Sequence, residues 1–259
     1  MDRNRTGVLR RRAAPDRRTV AGLGKAATAV IGVIGTLTAT LFLLVDHGVF
    51  GSNGDDPQQP DVVNVAVRDL RAPLLGGAEW SGESQLGNLV ADAYRHAAKT
   101  KLAFVNSRGL RANIPAGEVS RAQLAAVVPF HNQLVTMQLT GAQVWALLAQ
   151  QFPNNQILQI SGMRFSYRPT GAGIGLIRAV DELSPADGPR PVPNDGSTLY
   201  SVVVDSFLSD GGDGFTVLTR GTNRVATTIG TAAALTDYVR SLTRPFDSGA
   251  EGRIVRTDR

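Results

Sequence analysis

Residues 199–215 read LYSVVVDSFLSDGGDGF. Leu199–Val204 is the clearest buried strand of the chain, because Tyr200 and the valines Val202, Val203 and Val204 favour extended backbone. Ser209–Gly214, SDGGDG, is a tight turn, since its glycines accept backbone angles closed to other residues. Upstream, the pattern changes from element to element. Thr140–Gln151 carries Val144, Leu147 and Leu148 at helical spacing, and Leu134–Leu139 alternates like a half-buried strand. Ser84–Lys99 is a second helix, with Leu86, Leu89, Val90, Ala93, Tyr94 and Ala97 on one face and Glu83 or Ser84 as its cap. Leu102–Val105 is a short apolar strand, and Ser120–Ala126 is a short helix capped by Ser120. Val62–Val67 reads as a strand or linker. Ile157–Tyr167 reads as a strand with Gly162 inside, and Ile174–Val180 as its partner. Pro185–Gly196 is a Pro/Gly/Asp loop and Thr231–Arg240 a late helix. Strands and helices mix without a regular βαβ alternation. The class expected is therefore α+β, a mixed sheet with helices, rather than a doubly wound sheet.

The charge lies outside that body. Residues 1–25 hold eight basic residues against two acidic, a net of +6, which leaves −1 for the rest of a chain of net charge +5. A nucleic-acid-binding protein needs its positive charge on the folded surface that meets phosphates, so no nucleic-acid partner is expected. The tail leads into residues 26–45, AATAVIGVIGTLTATLFLLV, which carry no charge. A helix of that length crosses a hydrocarbon core of about 30 Å. The arginine-rich flank puts the N-terminus in the cytoplasm and the body outside. The expectation is a single N-terminal transmembrane helix, with a cleaved signal peptide as the competing reading. Residues 46–61 are rich in Gly, Pro, Asp and Gln and read as a flexible stalk. The domain order expected is tail 1–25, anchor 26–45, stalk 46–61 and folded domain 62–259.

Several chemistries are excluded by composition. The chain has no Cys, which removes disulfides, thiolate metal sites and a thiol nucleophile. Its three His, at 47, 96 and 131, are scattered, whereas a two-metal centre needs several His and carboxylates converging on ions. Neither a Gly-x-Ser-x-Gly elbow nor a Walker loop occurs. Three polar segments remain, each after a strand or in a loop, where binding residues concentrate. They are Asn106–Arg111 (NSRGLR), Pro129–Asn132 (PFHN) and Phe207–Phe215 (FLSDGGDGF). Phe130 and Phe207 border polar turns and can clamp a flat base by stacking. Asp213 follows two glycines, and a carboxylate there can accept hydrogen bonds from a ribose diol. Arg111 can hold a phosphate or stack. Taken singly, each feature also reads as a turn, a packing residue or a solvated charge.

Taken in order, the pieces resemble the C-terminal domain of the 5'-nucleotidase family. They are Glu83-Ser84-Gln85-Leu86-Gly87-Asn88-Leu89 with Asp92-Ala93, then Asn106 to Arg111 with Ile114-Pro115-Ala116-Gly117. Pro129-Phe130-His131-Asn132, Leu139-Thr140-Gly141 and Leu158-Gln159-Ile160-Ser161-Gly162 follow. Phe207 with Gly211 to Phe215, and Glu251-Gly252-Arg253-Ile254, complete the pattern over about residues 79–255. The resemblance implies a domain that grips the nucleoside part of a substrate. Phe130 and Phe207 would sandwich the base, Asp213 would bind the ribose hydroxyls, and Asn132 would sit beside the base. Asn106 and Arg111 would line the pocket, with Arg111 facing phosphate.

This sequence also departs from that pattern. The family's two-metal phosphoesterase motifs, Asp-x-His and Gly-Asn-His-Glu/Asp, do not occur in it. Trp80-Ser81-Gly82 stands where the family usually carries an Arg. Ser107-Arg108 replaces Gly, and His131 stands where Gly is frequent. The function expected is an extracytoplasmic nucleoside or nucleotide-binding domain with no catalytic residue and no cofactor of its own; the family's catalytic domain would bind two divalent metals. The first alternative is the substrate-binding half of a 5'-nucleotidase completed by a separate metallophosphoesterase chain. The second is a non-binding structural or interaction protein.

Overall fold

The computed structural model describes residues 61–73, 82–153, 156–169, 175–184 and 188–257. The tail, the apolar run at 26–45 and the stalk up to residue 60 lie outside the described residues. Among those described, no helix is long and apolar enough to cross a membrane.

The body begins with β1 (Val62–Ala66) and α1 (Gln85–Ala98). β2 (Leu102–Asn106) runs through a 3-10 turn at Ser107–Gly109 to β3 (Gly117–Ser120) and α2 (Arg121–Val127). Next come β4 (Gln133–Thr140), α3 (Gly141–Gln150), β5 (Leu158–Ser161), β6 (Met163–Pro169), β7 (Gly175–Ser184) and β8 (Gly188–Pro191). β9 (Leu199–Asp205), the single turn α4 (Ser206–Ser209), β10 (Thr222–Gly230), α5 (Thr231–Ser241) and β11 (Ile254–Arg256) close the chain.

A five-stranded sheet of order β10-β4-β9-β2-β5 forms the centre. β2 and β9 are parallel in it, and its other pairings are antiparallel. A four-stranded sheet of order β11-β6-β7-β8 has β11 parallel to β6, and β1 pairs with β3. This is the mixed helix-and-sheet architecture expected. The central strands are buried on both faces. Leu102, Phe104, Val202 and Val204 join a core with α3 and the four-stranded sheet. Ala103, Val105 and Val203 point the other way, into a core with α1, α2 and α5. A strand covered on both sides reads as a continuous apolar run, which is why Leu199–Val204 stands out in the sequence.

The helices start where their polar side chains permit. Ser84 Oγ accepts from the Gly87 backbone N–H at 2.9 Å. Ser120 with Gln123, and Thr140 with Gln143, form reciprocal capping boxes that satisfy donors otherwise left open at a helix start. Lys99, with φ 53°, ends α1 in the left-handed conformation.

Two readings need correction, and one element had no reading. Residues 157–167 are not one strand: β5 lies in the central sheet and β6 in the four-stranded one. The switch occurs at Gly162, whose φ is +81° and where a Cβ would lie 1.9 Å from the Lys101 carbonyl oxygen, so only glycine fits. The Pro185–Gly196 loop contains β8, which pairs with β7 at the sheet edge, where proline's missing N–H is tolerated. The polar segment Thr222–Gly230, assigned no element above, is β10, largely exposed and held by its ladder with β4.

The C-terminal segment is tied down by a buried ion pair. Arg253 is 6% exposed, and its Nη1 and Nη2 donate to Asp92 Oδ1 and Oδ2, both at 2.8 Å. Nη1 also donates to the Ile160 carbonyl at 2.9 Å. Glu83 accepts from the backbone N–H groups of Glu251 and Arg253 and from Asn88 Nδ2. Glu83, Asn88, Asp92 and Arg253, all within the quoted pattern, are thus framework that joins α1 to the end of the chain.

Candidate ligand-binding groove

The topology brings three loops to one edge of the central sheet. Because β2 and β9 run parallel, their last residues, Asn106 and Asp205, emerge at the same end. β4 runs antiparallel to β9, with Leu134 opposite Asp205, so the Phe130–Asn132 segment that precedes it arrives there too. The segments 106–111, 130–132 and 205–213 enclose a groove of about 320 Å³. That size suits a small organic ligand. Asn106, Arg111, Phe130, Asn132, Phe207 and Asp213, the six residues singled out from the sequence, all line it. Arg108, Gly109 and Asp205 complete the wall.

Phe130 and Phe207 are 47% and 46% exposed, whereas Phe104, Phe165 and Phe215 are at most 2% exposed. Two half-exposed phenyl rings on one concavity leave an apolar surface open to solvent. Each ring is positioned locally. The Arg111 guanidinium lies 5.6 Å from the Phe130 ring centroid, over the ring, and Nη1 donates to the Arg108 carbonyl at 3.4 Å. Asp205 caps the turn that carries Phe207, its Oδ1 accepting from the Leu208 N–H at 2.8 Å. A Cβ on Gly212 would lie 2.5 Å from the Phe207 ring, so a side chain there would push the ring aside.

The polar groups are held by one another. Asn106 Nδ2 donates to Asp213 Oδ2 at 2.8 Å, and Asn132 Nδ2 to Asp205 Oδ2 at 3.1 Å. Asp213 sits at φ 55°, inside the turn Gly212–Gly214, a conformation that Asp tolerates better than most residues. Asn106 is only 5% exposed, and its Oδ1 has no hydrogen-bond partner. A buried acceptor without a donor loses roughly 1–3 kcal/mol of solvation. Burial pushes the Asp205 carboxyl above its usual range. The Leu208 and Asn132 hydrogen bonds oppose that shift, and the Asp213 charge adds to it. Burial likewise raises the Tyr94 hydroxyl, with Asp205 adding to the effect.

A two-metal centre of the kind expected for the family's catalytic domain does not fit these residues. Among the described residues, no group of three or more His, Asp or Glu is placed to hold an ion. His96 packs against the Tyr238 ring, with centroids 5.3 Å apart, and His131 is exposed on a neighbouring cavity. Arg108, which the sequence marks as a departure from the expected glycine that can either replace the missing Arg or fill the groove, lines it. Asp205 was not singled out. Asp205 had a signal available: it is the first charged residue after the most apolar strand, two positions before Phe207.

Residues 65–220 match the family described as 5'-nucleotidase, C-terminal domain. A cell wall protein of Listeria monocytogenes is 30% identical over 186 residues, covering 67% of this chain and 22% of that protein. An apyrase of Tabanus yao is 28% identical, covering 74% of this chain and 38% of that protein. The crystal structure of a 5'-nucleotidase precursor from Thermus thermophilus superposes with a TM-score of 0.67 at 32% identity, over 77% of this chain and 40% of that one. The chain therefore spans well under half the length of these relatives.

Proposed function

This chain belongs to the 5'-nucleotidase C-terminal domain family, and from that premise we propose that its groove binds the nucleoside part of a nucleotide outside the cytoplasm. The observation that carries the reading is the half-exposed pair Phe130 and Phe207 on one groove with Asp213. The two rings stack on the base, an interaction that tolerates any base because each has a π-face. The Asp213 carboxylate accepts from the ribose hydroxyls, with Asn106 fixing its direction. Arg111 faces the phosphate, and Asn132 lies beside the base. The uncharged run at 26–45 anchors the chain in the membrane with the groove outside, and the cell wall name of the Listeria relative supports an extracellular setting.

In this reading the chain binds without hydrolysing: among the described residues no group of three or more His, Asp or Glu is placed to hold ions for metal-assisted attack of water on a phosphate ester. A second reading is that the same groove positions a nucleotide for a separate metallophosphoesterase chain. The test is competition between adenosine and 2',3'-dideoxyadenosine for the purified chain. Adenosine should bind roughly tenfold tighter, because the dideoxy analogue lacks the hydroxyls that donate to Asp213. Equal affinities would contradict the role of Asp213. Release of phosphate from AMP by the chain alone with divalent metal would contradict the non-hydrolytic reading.

A further inference from the structure

Arg108 and Arg111 belong to one short loop. Its first residue, Ser107, is 2% exposed and fixed from beneath. Its Oγ donates to the Ile157 carbonyl at 2.5 Å and accepts from Gln159 Nε2 at 3.0 Å. The Leu110 N–H closes the turn on the Ser107 carbonyl at 3.2 Å. The backbone that carries Arg108 is thus held in place while its side chain is exposed to solvent at the groove. Arg111 is engaged over the Phe130 ring and on the Arg108 carbonyl. The Arg108 side chain makes no ion pair among the described residues.

The groove holds two guanidinium groups and two carboxylates, Asp205 and Asp213. With a neutral residue at 108, one cation would face two carboxylates, and a phosphate dianion would be repelled. With Arg108 the charges balance, and a second planar fork of N–H donors becomes available, the geometry that matches phosphate oxygens.

We infer that Arg108 is a specificity-determining residue that makes this groove prefer a phosphorylated nucleoside to the nucleoside itself. This rests on the nucleoside-binding reading above, and the test separates the two. Titration calorimetry on the full chain, purified in detergent, compares adenosine with AMP for wild type, Arg108→Gln and Arg108→Lys. Wild type should bind AMP more tightly than adenosine, and Arg108→Gln should lower that preference roughly tenfold. Arg108→Lys should retain part of it, and raised salt should erode it. An unchanged AMP-to-adenosine ratio in Arg108→Gln, with adenosine still bound, overturns the role of Arg108 and leaves the nucleoside site standing. Failure of wild type to bind either ligand overturns both. An unchanged melting temperature in the variants shows that the ratio reports binding and not folding.

Discussion

Replacing Arg253 with alanine is expected to lower the stability of the domain by about 3–5 kcal/mol, because it strands the Asp92 carboxylate in a largely buried position. Asp92 is 19% exposed in its side chain and Arg253 6%. The guanidinium also serves the Ile160 carbonyl and Glu251. Its loss would release the C-terminal segment that β11 pins to β6. Ser161 Oγ, which donates to Asp92 Oδ1 at 2.5 Å, could not replace two charged donors. The contrast is Arg68→Ala. Arg68 pairs with Asp247 at 2.5 Å, but their side chains are 52% and 42% exposed. Water already solvates both charges there, so the loss should stay below about 1 kcal/mol. Urea unfolding of both variants measures the difference. Equal, small losses would mean that the Arg253 network contributes no more than a surface pair.

Phe207→Ala should weaken adenosine binding by roughly tenfold or more, since stacking contributes about 1–3 kcal/mol per base. Its effect on stability should be small, because the ring is 46% exposed and rests on the Gly212 backbone rather than in the core. Phe215, eight residues later and fully buried, should behave in the opposite sense. Its replacement by alanine removes a core ring and should destabilise the fold by about 3–5 kcal/mol. Calorimetric titration paired with thermal unfolding separates the two. A Phe207→Ala variant that melts early yet binds normally would mark that ring as packing and remove it from the site.

Much of this arrangement is legible in the sequence, for identifiable reasons. The strand Leu199–Val204 reads clearly because both its faces are covered; the helices at Ser84 and Ser120 announce themselves through their caps and the one at Thr140 through its apolar spacing. β10 is silent because most of its side chains are exposed and a neighbouring strand decides its conformation. β8 hides among prolines that the sheet edge tolerates. Gly162 is visible as a glycine, but not as the point where the chain leaves one sheet for another, since that depends on the distant Lys101 carbonyl. The groove residues are recoverable as three polar loops. Their convergence follows from the parallel pairing of β2 with β9, which no local pattern encodes. The antiparallel pairing of β4 with β9 puts Asp205 beside Asn132, a contact across 73 positions of sequence.

The most direct test of the nucleoside-binding reading is a calorimetric titration of the full chain with adenosine in the presence of a metal chelator. Saturable binding at one site per chain, competed by AMP, is the predicted result. A folded, cooperatively melting sample that gives no binding heat and no change in melting temperature with either ligand would contradict it.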